Sequence, residues 1–269
     1  MTTRWTLLSL IIFHSSCSLK KVPADPIPKH ESMEIQSEIL QEKRILNIYL
    51  PAQYQNSDEA FPILYMLDGG INEDFPHIAN TIAKLITEKK IKPIILVGIE
   101  NTDRRRDLSG FSEVKEDEKY CPLSDGAKEF RAFINKELKP NIERRYRHNG
   151  YEGIIGESLA GLFIMESFFL NPNSYDFYIA MDPSLWWNDH YLEKQASHYL
   201  ETMTKLNAKL WFAASSAESI SIHAQSLAKT LENKPLPGLT WKYSDEPQEE
   251  HHSIFRASKE KALIWALSN

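Results

Sequence analysis

The chain of 269 residues is long enough for one large α/β domain, and its 42% hydrophobic content is that of an ordinary packed core. Its 31 Lys and Arg against 37 Asp and Glu leave a formal charge of -6. That balance offers no general electrostatic attraction to nucleic acid or to an anionic membrane surface, so nucleic-acid partners are set aside.

Residues 1–17, MTTRWTLLSLIIFHSSC, place Arg4 ahead of an apolar run over 7–13 and small residues before Cys17. The run is too short to span a bilayer and fits the apolar region of a secretory signal. Ser15-Ser16-Cys17 resembles a bacterial lipobox, in which the cysteine is lipidated and becomes the mature N-terminus. His14 departs from the aliphatic residue usual there, and an ordinarily cleaved signal or an uncleaved apolar start are the competing readings. The expectation is export to the periplasm or cell surface, with a lipid anchor at Cys17 as the sole membrane contact. Cys121 is then the single remaining cysteine, which excludes a structural disulfide. Residues 18–36, rich in proline and charge, read as a tether, and residues 37–269 as the domain.

From about residue 34 onward, apolar strand-like runs alternate with helical spacing. This is the signature of a mostly parallel central sheet covered by helices on both faces. Strands are expected over residues 45–50, 62–67, 93–99, 153–156, 177–181, 209–214 and 240–243. Helices are expected over 77–89, 127–146, 158–170, 191–205, 220–232 and 253–267. No internal repeat or second domain interrupts the alternation. Residues 101–125 make a connection longer than ordinary, the mark of a functional loop, with Asp125 or Ser124 capping the helix that follows.

Gly156-Glu157-Ser158-Leu159-Ala160-Gly161 lies between a strand and a helix, with the serine at the apex. This is the nucleophile elbow of an α/β-hydrolase, with Ala160 in place of the second glycine of G-x-S-x-G. A serine hydroxyl needs an imidazole to take its proton, and the imidazole needs a carboxylate to orient it. In this fold the three follow in the order Ser, Asp/Glu, His, on loops at the carboxyl ends of strands. Glu218 and His251, with His252 beside it, meet that order, while Asp182 and Asp245 are rival acids. The histidine pair lacks the spacing or cysteines of a metal site. For the oxyanion, one backbone N–H is expected from Leu159 and the other from the Asp68-Gly69-Gly70 turn.

These segments resemble the esterase family that includes enterochelin esterases, S-formylglutathione hydrolase, feruloyl esterase modules and mycolyltransferases. The resemblance spans residues 45–267. It rests on RILNIYLP at 44–51, ILYMLDGG at 63–70, IIGESLAGL at 154–162, PSLWWND at 183–189, the Ala-Ser-Ser-Ala-Glu218 segment and EEHHSI at 249–254. It implies an α/β-hydrolase fold, a small-molecule ester substrate and no cofactor or metal. By this mapping the nucleophile is Ser158, the acid Glu218, the base His251 in a Glu-x-His-x-Ser setting, and the oxyanion amides those of Gly70 and Leu159. Arg104-Arg105-Arg106 resembles the family's arginine-containing segment, and guanidinium groups suit anionic catecholates. Trp186 and Trp187 offer an aromatic wall, although one of the two is expected to be core. The function expected is that of a serine ester hydrolase of enterochelin-esterase type. A carbohydrate esterase, or a catalytically silent binding protein on the same scaffold, are the alternatives.

Overall fold

The structure is a computed structural model that describes residues 25–268; the leader, Cys17 and the first part of the expected tether lie outside the described residues. In chain order the elements begin β1 (Glu31–Ser37), β2 (Glu42–Tyr49), α1 (Gln53–Asn56), β3 (Phe61–Met66), α2 (Phe75–Thr87), β4 (Ile95–Ile99) and α3 (Arg104–Leu108). A 3-10 turn (Lys115–Lys119), α4 (Gly126–Phe133), α5 (Lys139–Arg145), β5 (His148–Glu157) and α6 (Leu159–Leu170) follow. β6 (Phe177–Met181), α7 (Trp187–Thr202), β7 (Ala208–Ala214), α8 (Glu218–Asn233), β8 (Leu239–Asp245) and α9 (Ile254–Leu267) complete the chain.

The strands form one sheet in the order β1-β2-β4-β3-β5-β6-β7-β8. β1 with β2 and β2 with β4 are antiparallel, and every other pair is parallel. Successive side chains of a strand point to opposite faces, so a sheet covered on both sides needs apolar residues at consecutive positions. β3 shows this directly: Ile63 and Tyr65 join the core beneath α4, α6, α7 and α8, while Leu64 and Met66 join the core beneath α2 and α9. The fold is therefore the expected α/β-hydrolase sheet, and its carboxyl-terminal edge gathers the loops after β3 to β8. That edge is where ligands of open α/β sheets bind.

One expectation is corrected and another refined. Residues 31–36, assigned to the tether, form with Ser37 the edge strand β1, paired residue for residue with β2 from Glu31↔Ile48 to Ser37↔Glu42. Only Ile35 and Ser37 of this strand are fully buried, so its polar composition concealed it. The preceding residues also pack on the domain: Asn80 donates to the Pro26 carbonyl at 2.7 Å, and Arg256 pairs with Asp25 at 2.6 Å. The single helix expected over 127–146 is present from Gly126 to Arg145, with its hydrogen bonding shifted where Ile134–Leu138 form a π turn between α4 and α5. Proline in the first turn of α5 cannot donate to the preceding turn, and the interruption falls there. Asp125 is the cap of α4, accepting from the Lys128 N–H at 3.0 Å.

Candidate active site

Ser158 stands between β5 and α6 at φ 61° and ψ -116°, a conformation that costs a side-chain-bearing residue energy and must be held by its surroundings. Its N–H donates to the Met181 carbonyl at 2.9 Å, and its own carbonyl accepts from the N–H groups of Leu162 and Ser184. The closeness of strand and helix is severe. A Cβ on Gly156 would lie 2.6 Å from that of Ala160, and one on Gly161 would lie 2.8 Å from the Met181 carbonyl oxygen.

His251 Nε2 lies 3.0 Å from Ser158 Oγ, and its Nδ1 lies 2.6 Å from Asp182 Oδ2. With a carboxylate as acceptor, Nδ1 carries the ring proton and Nε2 is left to receive the serine's. Asp182 is fully buried at the end of β6 and also accepts from Ser215, through its N–H at 2.7 Å and its hydroxyl at 2.8 Å. The hydrogen bond to Asp182 raises the His251 pKa above the ordinary histidine value, against the opposing effect of burial. The turn that presents His251 is braced as the Glu-x-His-x-Ser pattern implied: Ser253 Oγ donates to Glu249 Oε2 at 2.7 Å, and the Ser216 N–H donates to the Glu249 carbonyl at 2.8 Å.

The expectation that Glu218 holds His251 is thereby corrected. Glu218 is the exposed first residue of α8, and the ring nitrogen it was to orient is taken by Asp182. Its neighbour Ser215 enters the site instead, as a donor to the buried carboxylate; sequence reasoning missed this, although two serines directly after an apolar strand were a signal. Asp245 accepts from the Tyr243 hydroxyl. His252 is 79% exposed and faces Glu250, so it has no part in the arrangement.

The expected oxyanion donors are differently placed. The Leu159 N–H, at the first position of α6, has no acceptor among the described residues. The Gly70 N–H donates to Glu73 Oε2 at 2.7 Å and is capped in this state. Burial raises the pKa of Glu73, whose other oxygen accepts from Asn101 at 2.9 Å. Glu157, next to the nucleophile, has an oxygen sealed from solvent without a hydrogen-bond partner, and burial followed by the charge of Asp74 pushes its pKa up to about 8.

The three arginines separate. Arg104 makes a paired contact to Asp68, Nε to Oδ1 at 2.6 Å and Nη2 to Oδ2 at 2.8 Å, which ties α3 to the Gly69-Gly70 turn. Arg106, expected to bind substrate, is committed to Glu42 and Asp107. Arg105 is exposed and has no ion-pair partner among the described residues. Of the tryptophans, Trp187 is core, 3% exposed, with its indole N–H on the Gly110 carbonyl at 3.1 Å. Trp186 is half-buried against the exposed ring of Tyr120, with centroids 4.9 Å apart. A cleft of about 610 Å³ runs from Gly110 and Phe111 to Asn188 and Tyr191; Ser158 lies outside it, on the open carboxyl edge of the sheet.

Comparison with known proteins identifies the family. The Esterase family profile matches residues 37–262. Ferri-bacillibactin esterase BesA of Bacillus subtilis is 26% identical over 230 residues, covering 77% of this chain and 79% of that protein. Among solved structures, an IroE-like serine hydrolase from Shewanella oneidensis superposes with a TM-score of 0.80 at 28% identity, covering 89% of this chain and 80% of that one. The BES protein from Bacillus cereus does so with a TM-score of 0.78 at 25% identity, covering 92% of this chain and 100% of that one. With an elbow serine at the carboxyl edge of such a sheet, the chain belongs to the Esterase family, the enterochelin-esterase-like α/β-hydrolases, and is a carboxylic-ester hydrolase.

Proposed function

We propose that the chain hydrolyses ester bonds of an iron-carrying siderophore, with Ser158 as nucleophile, His251 as general base and acid, and Asp182 as the group that orients His251. The observation that carries this reading is the unbroken line of hydrogen bonds from Ser158 Oγ through the His251 ring to Asp182. Ser158 attacks the ester carbonyl while His251 Nε2 takes its proton, and the imidazolium is stabilised by the buried carboxylate. The same nitrogen returns the proton to the leaving alcohol and then deprotonates the water that releases the acid. The developing oxyanion is met by the Leu159 N–H, and by that of Gly70 once Glu73 withdraws. The siderophore class is supported by the ferri-bacillibactin esterase relative. It is also supported by the exposure of His251, which leaves the centre open to a bulky substrate, and by the neighbouring aromatic pair Trp186 and Tyr120.

Two measurements test the reading together. A fluorophosphonate probe is expected to label wild type on Ser158 and to leave Ser158→Ala unlabelled. A tris-catecholate siderophore ester is expected to be cleaved with kcat/KM at least about tenfold above feruloyl or acetyl-sugar esters, a preference worth about 1.4 kcal/mol in the transition state. Labelling without that preference would retain the hydrolase and transfer the substrate to the carbohydrate esters.

We also infer, from the leader, that the protein is exported and anchored through Cys17. Labelled palmitate should be incorporated in a bacterial host and lost in Cys17→Ser; an unlabelled, freely soluble wild type would remove the anchor.

A further inference from the structure

Away from the catalytic centre, His190 in the left-handed stretch that opens α7, Glu193 in the regular helix that follows, and His223 on α8 converge. One ring nitrogen from each histidine and one carboxylate oxygen of Glu193 all lie within 4.8 Å of one another. The imidazoles of His190 and His223 are stacked, with centroids 3.7 Å apart and planes inclined by 16°, and His223 Nδ1 lies 2.5 Å from Glu193 Oε2. Two features separate this group from an ordinary surface ion pair. His190 Nδ1 is buried and has no hydrogen-bond partner, a costly state for a polar atom unless something is bound there. His190, with Asn188 and Asp189 before it, is held in the left-handed region at φ 60°, 49° and 49°, a conformation unfavourable for residues bearing a side chain.

We propose that His190, Glu193 and His223 form a binding site for a divalent transition-metal cation of the zinc type. Two imidazoles and one carboxylate are a zinc donor set, with a fourth position open to water. Zinc ligands at about 2.0–2.1 Å stand about 3.4 Å apart around a tetrahedron. The 3.7 Å between the stacked rings separates their centroids, so the rings have to turn until their in-plane lone pairs converge, and donor atoms that lie within 4.8 Å of one another have to come to about 3.4 Å, within reach of side chains that are partly exposed. The three donors come from segments 30 residues apart in sequence, so no ligand spacing announced them.

The bound cation clips the start of α7 to α8, and so fixes the turn that carries Trp186 and Asn188. Asn188 in turn anchors the long loop, accepting from the Glu113 N–H at 3.0 Å while its own N–H donates to Asp117 at 2.9 Å. The site is therefore structural toward the rim of the centre and takes no part in the ester chemistry.

The test is calorimetric titration of the untagged, chelator-stripped protein with Zn²⁺, followed by thermal unfolding. Wild type is expected to bind one equivalent with a dissociation constant at or below about 10 μM, and to unfold at a higher temperature when loaded, since a ligand that binds only the folded state stabilises it. Glu193→Gln, which preserves shape, and His223→Ala should each weaken binding at least tenfold and abolish the thermal shift. No binding by wild type, or undiminished binding by both variants, overturns the proposal. So does binding that disappears instead in His251→Ala, which would place the zinc on the catalytic imidazole.

Discussion

Asp182→Asn is expected to lower kcat by roughly 10³–10⁴-fold, because an amide in that place can favour the wrong imidazole tautomer and cannot stabilise the imidazolium. Glu218→Gln should leave kcat within about a factor of two, as for any exposed residue away from the reacting atoms. Ser158→Ala and His251→Ala should each cost roughly 10³-fold or more, since the members act as a unit. The pH profile gives an independent reading. Serine attack needs neutral His251, so kcat/KM rises with pH along a limb set by that histidine. Its pKa is raised chiefly by the hydrogen bond to Asp182, so the ring stays protonated to higher pH and the wild-type limb lies above the ordinary value of about 6.5. Removing the carboxylate should move the limb to lower pH. A stationary limb in Asp182→Asn, or an equal loss in Glu218→Gln, would return the acid's role to another residue.

Arg44→Met is expected to destabilise the fold by about 3 kcal/mol, the lower end of the range for stranding one partner of a buried ion pair. Arg44 is fully buried on β2; it hydrogen-bonds Asp107 at 2.6 Å, pairs with Glu42, and lies over the ring of Phe130 at 5.1 Å. Two features keep the loss from being larger. Asp107 retains Arg106 at 2.8 Å, and the substitution also removes the buried Nε and Nη1 of Arg44, which have no partner. In a domain of this size the midpoint of thermal unfolding should fall by roughly 6–12 °C. The loss also reaches the centre, because Asp107 fixes α3 and α3 carries the Arg104 that grips Asp68. Urea unfolding of Arg44→Met and Arg44→Lys measures it, and a change below about 1 kcal/mol in both would show that the phenylalanine contacts, and not the charge pair, hold this corner.

The parallel strands were legible because burial on both faces demands unbroken apolar runs, and β6 was placed residue for residue. β1 was not legible, since an edge strand with one buried stripe alternates polar and apolar residues and, beside prolines, reads as linker. The elbow serine was legible in local pattern, whereas His251 was preferred to His252 only through the Glu-x-His-x-Ser setting of the family it resembles. The acid was not legible, because Asp182 and Glu218 both follow strand ends. Reaching His251 depends on the left-handed turn at Asp182, with φ 45°, which no residue type announces. The arginines failed as a unit for a geometric reason: successive helical residues point about 100° apart, so three in a row on α3 face a buried aspartate, solvent and a second acidic pair.

The packing around Gly156 bears on how such enzymes are recognised. An added methyl at 156 meets the methyl of Ala160 at 2.6 Å, so the elbow has volume for one of these two methyl groups and no more. The familiar pattern asks for a hydrogen at each flank, but the steric constraint applies to the pair, and here Gly161 meets the separate demand of close approach to the loop after β6. The two flanks are therefore sterically coupled: with glycine at 156 the fold accommodates alanine at 160, and a methyl at 156 requires the one at 160 to go. A pattern that demands glycine at both flanks misses this chain, whereas one that weighs their combined side-chain volume retains it.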